Sequence, residues 1–179
     1  MMRHDTLVFH TLSTLAGVRS GMDQDRCRLV FDVLCTSDVI HAAIQRQLAP
    51  RGINELRFNM LLVLLAIDPD PVNPADLAYQ TGVTRAAITD ALDDLARQGL
   101  VTRTPDTRDR RMVEVRLTEK GHRLIAEVMK DYLHLLSKVT LDTEVMERRP
   151  FLAMLRKLQE GTTAFLATNP SAPVIPESD

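Results

Sequence analysis

Arginine is concentrated in one short stretch of this chain, where it could contact phosphate groups. Between residues 97 and 111 there are five arginines and two aspartates, a local balance of +3 in a chain whose net charge is −2. The arginines are Arg97, Arg103, Arg108, Arg110 and Arg111. Contacts from basic side chains to phosphates supply most of the salt-sensitive affinity of proteins for DNA. The arginine spacing therefore indicates a nucleic-acid contact.

The tip of this stretch is too polar to be buried and is expected to project as a wing. It lies between a predicted strand at 100–104 and a partner strand at 113–117 with alternating apolar residues. Asp109 precedes Arg111 by two residues, so its carboxylate can direct the guanidinium toward a narrow minor groove. Arg108 and Arg110 are expected to contact phosphates.

The residues before the strands predict two helices joined by a tight turn. Asn73 can cap the first helix, Pro74 suits its first position and Asp76 favours its positive end. Gly82 supplies a left-handed turn residue and Thr84 the next N-cap, so a second helix begins almost at once. Two helices joined this closely at a steep angle form a helix-turn-helix.

The second predicted helix has one apolar and one polar face. Its apolar stripe has three- and four-residue spacing and consists of Ile88, Ala91, Leu92 and Leu95. The polar face begins with a short turn that suits the major groove of DNA. The candidate groove contacts are Thr84, Arg85, Ala86, Thr89 and Asp90.

Acidic residues on the polar face leave two interpretations open. Asp90 could accept a hydrogen bond from a cytosine amine, which would be a sequence-specific contact, or it could repel phosphate. Asp93 and Asp94 are expected to pair with Arg97 along the helix surface. In both cases the affinity should depend mainly on the wing.

The remainder of the chain is predicted to be helical, which makes the fold class α+β and mostly α. Residues 1–50 and 122–168 have more apolar helix faces than one small monomer can bury, so they are expected to form a dimerisation region. The winged helix-turn-helix domain spans 51–121. Pro150 is expected to kink the last helix or to start it afresh. Residues 169–179 contain three prolines and are expected to be disordered.

The winged segment resembles the MarR (multiple-antibiotic-resistance regulator) family of bacterial transcription regulators. The matching residues are Asp109, Arg110, Arg111, Val113, Val115, Leu117, Thr118 and Gly121, and earlier Leu77-Ala78, Gly82-Val83-Thr84, Leu95 and Gly99-Leu100. The resemblance implies a homodimer that binds a palindromic operator in double-stranded DNA, most often as a repressor. It also implies release by a small molecule or an oxidant.

An effector site is also implied by the resemblance, because family ligands are often aromatic or phenolic acids bound between the dimer helices and the winged domain. Polar residues that could reach such a cleft are Ser37 and His41 on the first long helix and Arg57 and Asn59 on the next. An ordinary surface role for His41 and Arg57 is the alternative.

The two cysteines, Cys27 and Cys35, lie about 12 Å apart along one predicted helix and cannot bridge each other. They are expected to be small buried thiols. Because one branch of the family senses oxidants through a cysteine near the start of this helix, redox sensing or pairing between subunits also stays open.

Other function classes find little support in the sequence. There is no nucleophile elbow, glycine-rich phosphate loop or metal-ligand spacing, so neither an enzyme nor a cofactor or metal is expected. No apolar run of membrane length and no signal peptide are present, which predicts a cytoplasmic protein without a membrane partner. The alternative function is a winged-helix protein-interaction module with weak or no DNA binding, favoured by the acidic second helix.

Overall fold

A computed structural model describes residues 6–18, 23–105 and 113–168. These residues form seven α-helices and one antiparallel strand pair. In chain order the elements are α1 (Leu7–Val18), α2 (Gln24–Leu48), a 3₁₀ turn (Ala49–Arg51), α3 (Glu55–Ile67), α4 (Pro74–Thr81), α5 (Arg85–Arg97), β1 (Val101–Pro105), β2 (Val113–Leu117), α6 (Glu119–Val139) and α7 (Val145–Thr168). The chain divides into two compact units, Met1–Glu55 and Leu56–Asp179.

The first unit contains α1 and α2. Asp23 caps α2, since its side chain accepts a hydrogen bond from the Arg26 amide at 3.1 Å. The helix ends in the 3₁₀ turn, and Gly52 there has a φ of 69° in the left-handed region. The buried apolar side chains of the two helices are Phe9, Ala16, Cys35, Ile44 and Leu48.

The helix-turn-helix of the second unit has the caps that the sequence predicts. The Asn73 side chain accepts a hydrogen bond from the Asp76 amide at 2.8 Å, and Pro74 occupies the first position of α4. Gly82 has a φ of 68°, which a side-chain-bearing residue rarely adopts. Thr84 Oγ1 accepts from the Ala87 amide at 3.3 Å and begins α5.

The strand pair begins one residue later than predicted. Gly99, with a φ of 70°, ends α5, and the Leu100 amide donates back to the Leu95 carbonyl at 2.9 Å. Leu100 therefore completes the helix end, and β1 starts at Val101. Val101 faces Leu117 in the register. Val72 forms one isolated antiparallel bridge with Val115, with N–O distances of 2.8 and 3.1 Å.

A compact junction joins the end of α5 to the start of α6. The Leu100 carbonyl accepts from the Thr118 amide at 3.0 Å, and Thr118 Oγ1 donates to the Gly99 carbonyl at 2.8 Å. Thr118 Oγ1 also accepts from the Gly121 amide at 3.0 Å and so caps α6. A Cβ atom added at Gly121 would lie 2.2 Å from the Leu100 carbonyl oxygen. Only glycine allows this close approach.

The core of the second unit combines the apolar stripe of α5 with residues from α3, α4, β2 and α6. Its side chains with almost no exposed surface include Phe58, Leu61, Leu77, Ile88, Leu92, Leu95, Val115, Ile125 and Val128. Burial of a leucine or isoleucine side chain contributes about 1.5 to 3 kcal/mol to the free energy of unfolding. This core therefore sets the position of the polar face of α5.

The last helix contains a proline. Of the two alternatives predicted for Pro150, a fresh start of the helix is wrong, because α7 is one helix from Val145 to Thr168 with Pro150 inside it, and a kink stays a prediction. Pro150 has no N–H to donate. Only the carbonyl of Met146, in the first turn, therefore loses its helical hydrogen bond. No residue of α7 is buried. Within the described ranges, no helix is long and apolar enough to cross a membrane.

Replacing Gly121 by alanine should destabilise the protein, because the added methyl group collides with backbone that cannot move alone. We expect a loss of about 1 to 3 kcal/mol in the free energy of unfolding, measured by chemical denaturation. Gly161→Ala is the matched control: it is a helical glycine whose Cβ would meet nothing within 4 Å, so it should be neutral or slightly stabilising. Equal losses of stability in the two variants would show that the close approach of Gly121 to Leu100 does not require glycine.

His122 links the start of α6 to the turn after α3. Its Nδ1 lies 3.0 Å from the Thr118 carbonyl oxygen and its Nε2 lies 3.4 Å from Asp68 Oδ2. The pKa of His122 is raised, chiefly by the hydrogen bond to Thr118 and further by Asp68, although partial burial opposes the rise. The protonated imidazole is therefore favoured in the folded state.

Because the pKa is higher in the folded protein, His122 should stabilise the fold below its ordinary pKa and lose that effect as the pH rises through the raised value. His122→Gln should consequently lower the melting temperature at pH 6, and the difference from the wild type should shrink by pH 9. His134→Gln, an exposed histidine on the same helix, is the control. A pH-independent difference for His122→Gln would refute this linkage.

Candidate nucleic-acid interface

The candidate groove contacts share one exposed face at the start of α5. Thr84, Arg85, Ala86, Thr89 and Asp90 are all exposed, whereas Ile88, Ala91, Leu92 and Leu95 are buried on the opposite face. Thr84 also serves as the N-cap, and Thr89 Oγ1 donates to the Arg85 carbonyl at 3.0 Å. Apart from Arg85, the exposed side chains in the first two turns of α5 are therefore short, which lets a helix approach base edges closely.

The acidic residues further along α5 are paired with arginines. Asp94 accepts from Arg97 Nη1 at 2.6 Å and also from Arg57 on α3. Asp93 accepts from Arg103 Nη1 at 2.6 Å. The pairing of Asp94 with Arg97 confirms the prediction. The predicted pairing of Asp93 with Arg97 is wrong, because Arg103 on β1 reaches Asp93 instead.

Arg103 also fixes the strand to the helix. Its Nη2 donates to the Thr89 carbonyl at 3.3 Å while its Nη1 contacts Asp93. One guanidinium thus holds two points of α5, a geometry that the planar fork of arginine allows and lysine does not. The position of β1 beside the exposed face of α5 depends on this contact.

These pairs change the charge of the candidate interface. Of the three acidic residues at 90, 93 and 94, two face arginine partners. Asp90 is exposed and makes no ion pair with any residue that the structure describes. Arg97 and Arg103 are thus engaged by carboxylates, and they are the arginines of the stretch that the structure describes.

The tip residues Arg108, Asp109, Arg110 and Arg111 lie outside the described residues. The flanking strands are paired at their ends, since Pro105 faces Val113 in the register. Residues 106–112 therefore connect two adjacent strand ends, as the sequence predicts for a wing. The individual roles expected of these four side chains stay predictions.

The four candidate effector residues have different surroundings. His41 Nδ1 lies 2.9 Å from Glu55 Oε2, and Arg57 contacts Asp94. Ser37 is half-buried and Asn59 is exposed. Two of the four side chains thus already have carboxylate partners, and the expectation that all four share a ligand cleft stays a prediction.

The cysteines differ in their access to solvent. Cys35 is buried, and burial raises the pKa of its thiol, with Asp32 and Asp38 adding to the rise through their negative charges. A thiol in such surroundings stays protonated and reacts slowly with oxidants. Cys27 is half-buried. In the described parts of the chain, no group of three His, Cys, Asp or Glu side chains is arranged to hold a metal ion.

The arrangement of α4, α5 and the β1–β2 hairpin defines a winged helix-turn-helix, a class of DNA-binding domain. A MarR family model matches residues 52–112. The HTH-type transcriptional repressor YetL of Bacillus subtilis (strain 168) is 28% identical over 82% of this chain and 87% of its own length.

Solved structures show the same fold. The transcriptional repressor CouR, determined bound to a 23-mer DNA duplex, is 25% identical with a TM-score of 0.64, over 73% of this chain and 92% of that one. Bordetella bronchiseptica BpsR, whose DNA binding is regulated by 6-hydroxynicotinic acid, is 23% identical with a TM-score of 0.61, over 73% and 98% of the two chains.

Residues 52–112 place the winged domain of this chain in the MarR family of winged helix-turn-helix transcription regulators, and the chain resembles a repressor of that kind over most of its length. Proteins of this family are DNA-binding regulators and not enzymes. Fold class and family are therefore as the sequence predicts: mostly helical with one small antiparallel sheet.

Sequence reasoning missed two residues of the interface, Arg57 and Arg103, in the roles that the structure assigns to them. Arg57 is separated from Asp94 by 37 positions and Arg103 from Asp93 by 10. Neither spacing belongs to the helical pattern of three or four residues. The one signal in the sequence was the excess of aspartate on a helix expected to lie near DNA. That excess indicates that arginines from other elements must pair with these aspartates.

Asp94→Asn should destabilise the domain, because Asp94 has two arginine partners and is only 27% exposed. We expect a loss of about 1 kcal/mol in the free energy of unfolding. Asp90→Asn makes the same chemical change one turn earlier, at an exposed site, and should change stability by less than about 0.5 kcal/mol. Chemical denaturation of both variants tests this difference. Equal losses would show that the ion pairs do not distinguish the two aspartates.

Proposed function

We propose that this chain is a homodimeric, ligand-responsive repressor that binds a palindromic operator. The observation that carries the proposal is the exposed start of α5, with short polar side chains, lying next to the paired strands that lead into the arginine-rich tip. A helix of this kind enters the major groove, while an adjoining basic hairpin reaches phosphates or the minor groove.

Base recognition is assigned to α5 and affinity mainly to the wing. Thr84, Arg85, Ala86, Thr89 and Asp90 face the groove, and Asp90 accepts from a cytosine amine. Arg111, directed by Asp109, enters the minor groove, and Arg108 and Arg110 contact phosphates. Arg97 and Arg103 are held by Asp94 and Asp93. Arg108, Arg110 and Arg111 therefore supply most of the salt-sensitive affinity.

Dimerisation is supported by apolar side chains that the single chain leaves exposed. On α7, Met146, Phe151 and Phe165 are 82%, 57% and 63% exposed. Contiguous exposed apolar surface of this kind usually marks an interface. Two copies related by a twofold axis would present their α5 helices to successive major grooves, roughly 34 Å apart. Such a regulator acts on chromosomal DNA, so we assign it to the cytoplasm.

A small aromatic or phenolic acid is the proposed effector, and Ser37, His41, Arg57 and Asn59 stay the candidate residues for its contacts. A ligand carboxylate that reached Arg57 would compete with Asp94 for the same guanidinium. Such competition would loosen one of the two arginine contacts that hold the end of α5. This exchange gives a physical link between ligand binding and the position of the DNA-binding helix.

The alternative, a winged module that binds a protein instead of DNA, rested on the acidity of α5. Two of its three relevant aspartates are paired with arginines, which removes most of that argument. DNA binding is therefore the better-supported function.

Fluorescence anisotropy with the intergenic DNA upstream of the chain's own gene tests the proposal. Binding should weaken as salt rises from 50 to 200 mM, and Arg111→Ala should weaken it about tenfold and reduce the salt slope by about one charge. Arg26→Ala removes an equal charge from α2 and should leave the affinity unchanged.

Absence of binding at low salt, or equal effects of Arg111→Ala and Arg26→Ala, would overturn the proposal and favour a protein partner. Asp90→Asn should change the preferred base at one operator position more than it changes the overall affinity. A uniform change across operator sequences would assign Asp90 to the phosphate backbone instead.

A further inference from the structure

Arg103 belongs to the arginine-rich stretch, yet its side chain faces α5 instead of solvent. Along β1, Val101 is buried and Arg103 is half-buried. The alternate residues, Thr102 and Thr104, are exposed. This alternation places Arg103 on the inner face of the strand, where it pairs across the sheet with the buried Val115. The Arg103 side chain is 29% exposed, and its Nε is shielded from solvent. An arginine that contacts phosphate would extend the other way.

The Arg103 guanidinium contacts α5 at two points. Its Nη1 donates to Asp93 Oδ1 at 2.6 Å, and its Nη2 donates to the Thr89 carbonyl at 3.3 Å. Thr89 and Asp93 are four residues apart, so the two contacts lie roughly one helical turn from each other. A single contact would let the helix rotate about it. Two contacts fix both the position and the rotation of α5 relative to β1.

One of these contacts reaches the turn that is proposed to face the bases. Thr89 is itself a candidate groove contact, and its Oγ1 donates to the carbonyl of Arg85, another candidate. The other end of the connection lies in β1, two residues before Pro105, where the strand ends and the tip at 106–112 begins. Arg103 therefore links the backbone of the base-contacting turn to the strand that leads into the wing.

The length of a strand residue shows why this link matters for recognition. Successive residues of a strand are roughly 3.3 Å apart, which is about the length of a hydrogen bond. A shift of β1 by one residue would therefore break the contacts of the wing while α5 stays in its groove. Contacts to base edges require this precision, because they depend on direction and distance. Contacts to phosphates depend mainly on charge and tolerate such shifts better.

We propose that Arg103 is a positioning residue for operator recognition. It fixes the wing relative to the base-contacting turn of α5 and does not itself contact DNA. Its removal should therefore reduce the discrimination between operator and other sequences and leave the sequence-independent affinity unchanged. Lysine cannot replace it, because only the planar fork of arginine holds Asp93 and the Thr89 carbonyl together.

Fluorescence anisotropy of the full-length chain with two duplexes tests this proposal. One duplex is the intergenic DNA upstream of the chain's own gene, and the other is the same sequence scrambled. Arg103→Lys should weaken binding to the intergenic duplex about tenfold. Its affinity for the scrambled duplex, and the salt slope of that affinity, should stay at the wild-type values, because the charge is retained.

A phosphate contact at Arg103 would give the opposite result. Lysine would then restore the wild-type affinity for both duplexes, and Arg103→Gln would lower the salt slope by about one charge on both. Either observation overturns the proposal. Arg26→Lys makes the same chemical change at a side chain that is 87% exposed and pairs with Asp23, and it should leave both affinities unchanged. Equal effects of Arg103→Lys and Arg26→Lys also overturn the proposal.

Asp93→Asn tests whether Arg103 acts through α5. This variant should lower the ratio of the two affinities, and it should cause no further loss when combined with Arg103→Gln, because both changes break the same ion pair. Independent losses that multiply in the double variant would overturn the proposal. Circular dichroism checks that each variant is folded. A smaller folded fraction lowers both apparent affinities equally, so a purely structural defect would leave their ratio unchanged.

The role of Arg103 rests on the proposed DNA binding, and the two can fail separately. A wild-type chain that binds neither duplex, or binds both equally, overturns the proposed function and the role of Arg103 with it. A wild-type chain that prefers the intergenic duplex supports the proposed function. If Arg103→Lys then keeps the full preference, only the role of Arg103 is overturned.

Discussion

The close approach of Gly121 to the Leu100 carbonyl is the contact on which the winged domain depends. At this point the end of α5, the start of β1 and the first turn of α6 meet. The Leu100 amide closes α5, the Leu100 carbonyl receives the Thr118 amide, and Thr118 caps α6. A larger residue at 121 would separate three elements at once. The junction therefore transmits the position of the buried core to the exposed face of α5 and to the wing strands.

Charge pairing adds the second constraint on that face. Arginines from α3 and β1 take up the carboxylates of Asp94 and Asp93, and Arg103 also holds the Thr89 carbonyl. These contacts position α5 and reduce the negative charge that it would otherwise carry toward DNA. Because Arg97 and Arg103 have carboxylate partners, the proposed phosphate contacts fall to the arginines of the tip. Positioning and affinity are thus assigned to different arginines of one short stretch.

The two compact units differ in the apolar surface that they leave open. In the second unit the core is complete around α5, yet α7 has no buried residue and many exposed apolar ones. That surface supports the proposed dimer. In the first unit, α1 and α2 enclose a cavity of about 250 Å³ that is lined in part by Phe9 and Phe31.

The sequence by itself determined the features that depend on neighbouring residues. Asn73, Gly82 and Thr84 were predictable because caps and left-handed turns follow from a few adjacent residues, and the buried stripe of α5 followed from helical spacing. The rule that proline ends a helix failed at Pro150. The helix continues through this residue, because only one helical hydrogen bond is lost there. Only the tertiary structure decided that Asp93 pairs with Arg103, that Arg57 pairs with Asp94, and that Ser13 lines a cavity. Such contacts join residues distant in the chain, and their geometry depends on how the helices pack, which no local pattern of residues specifies.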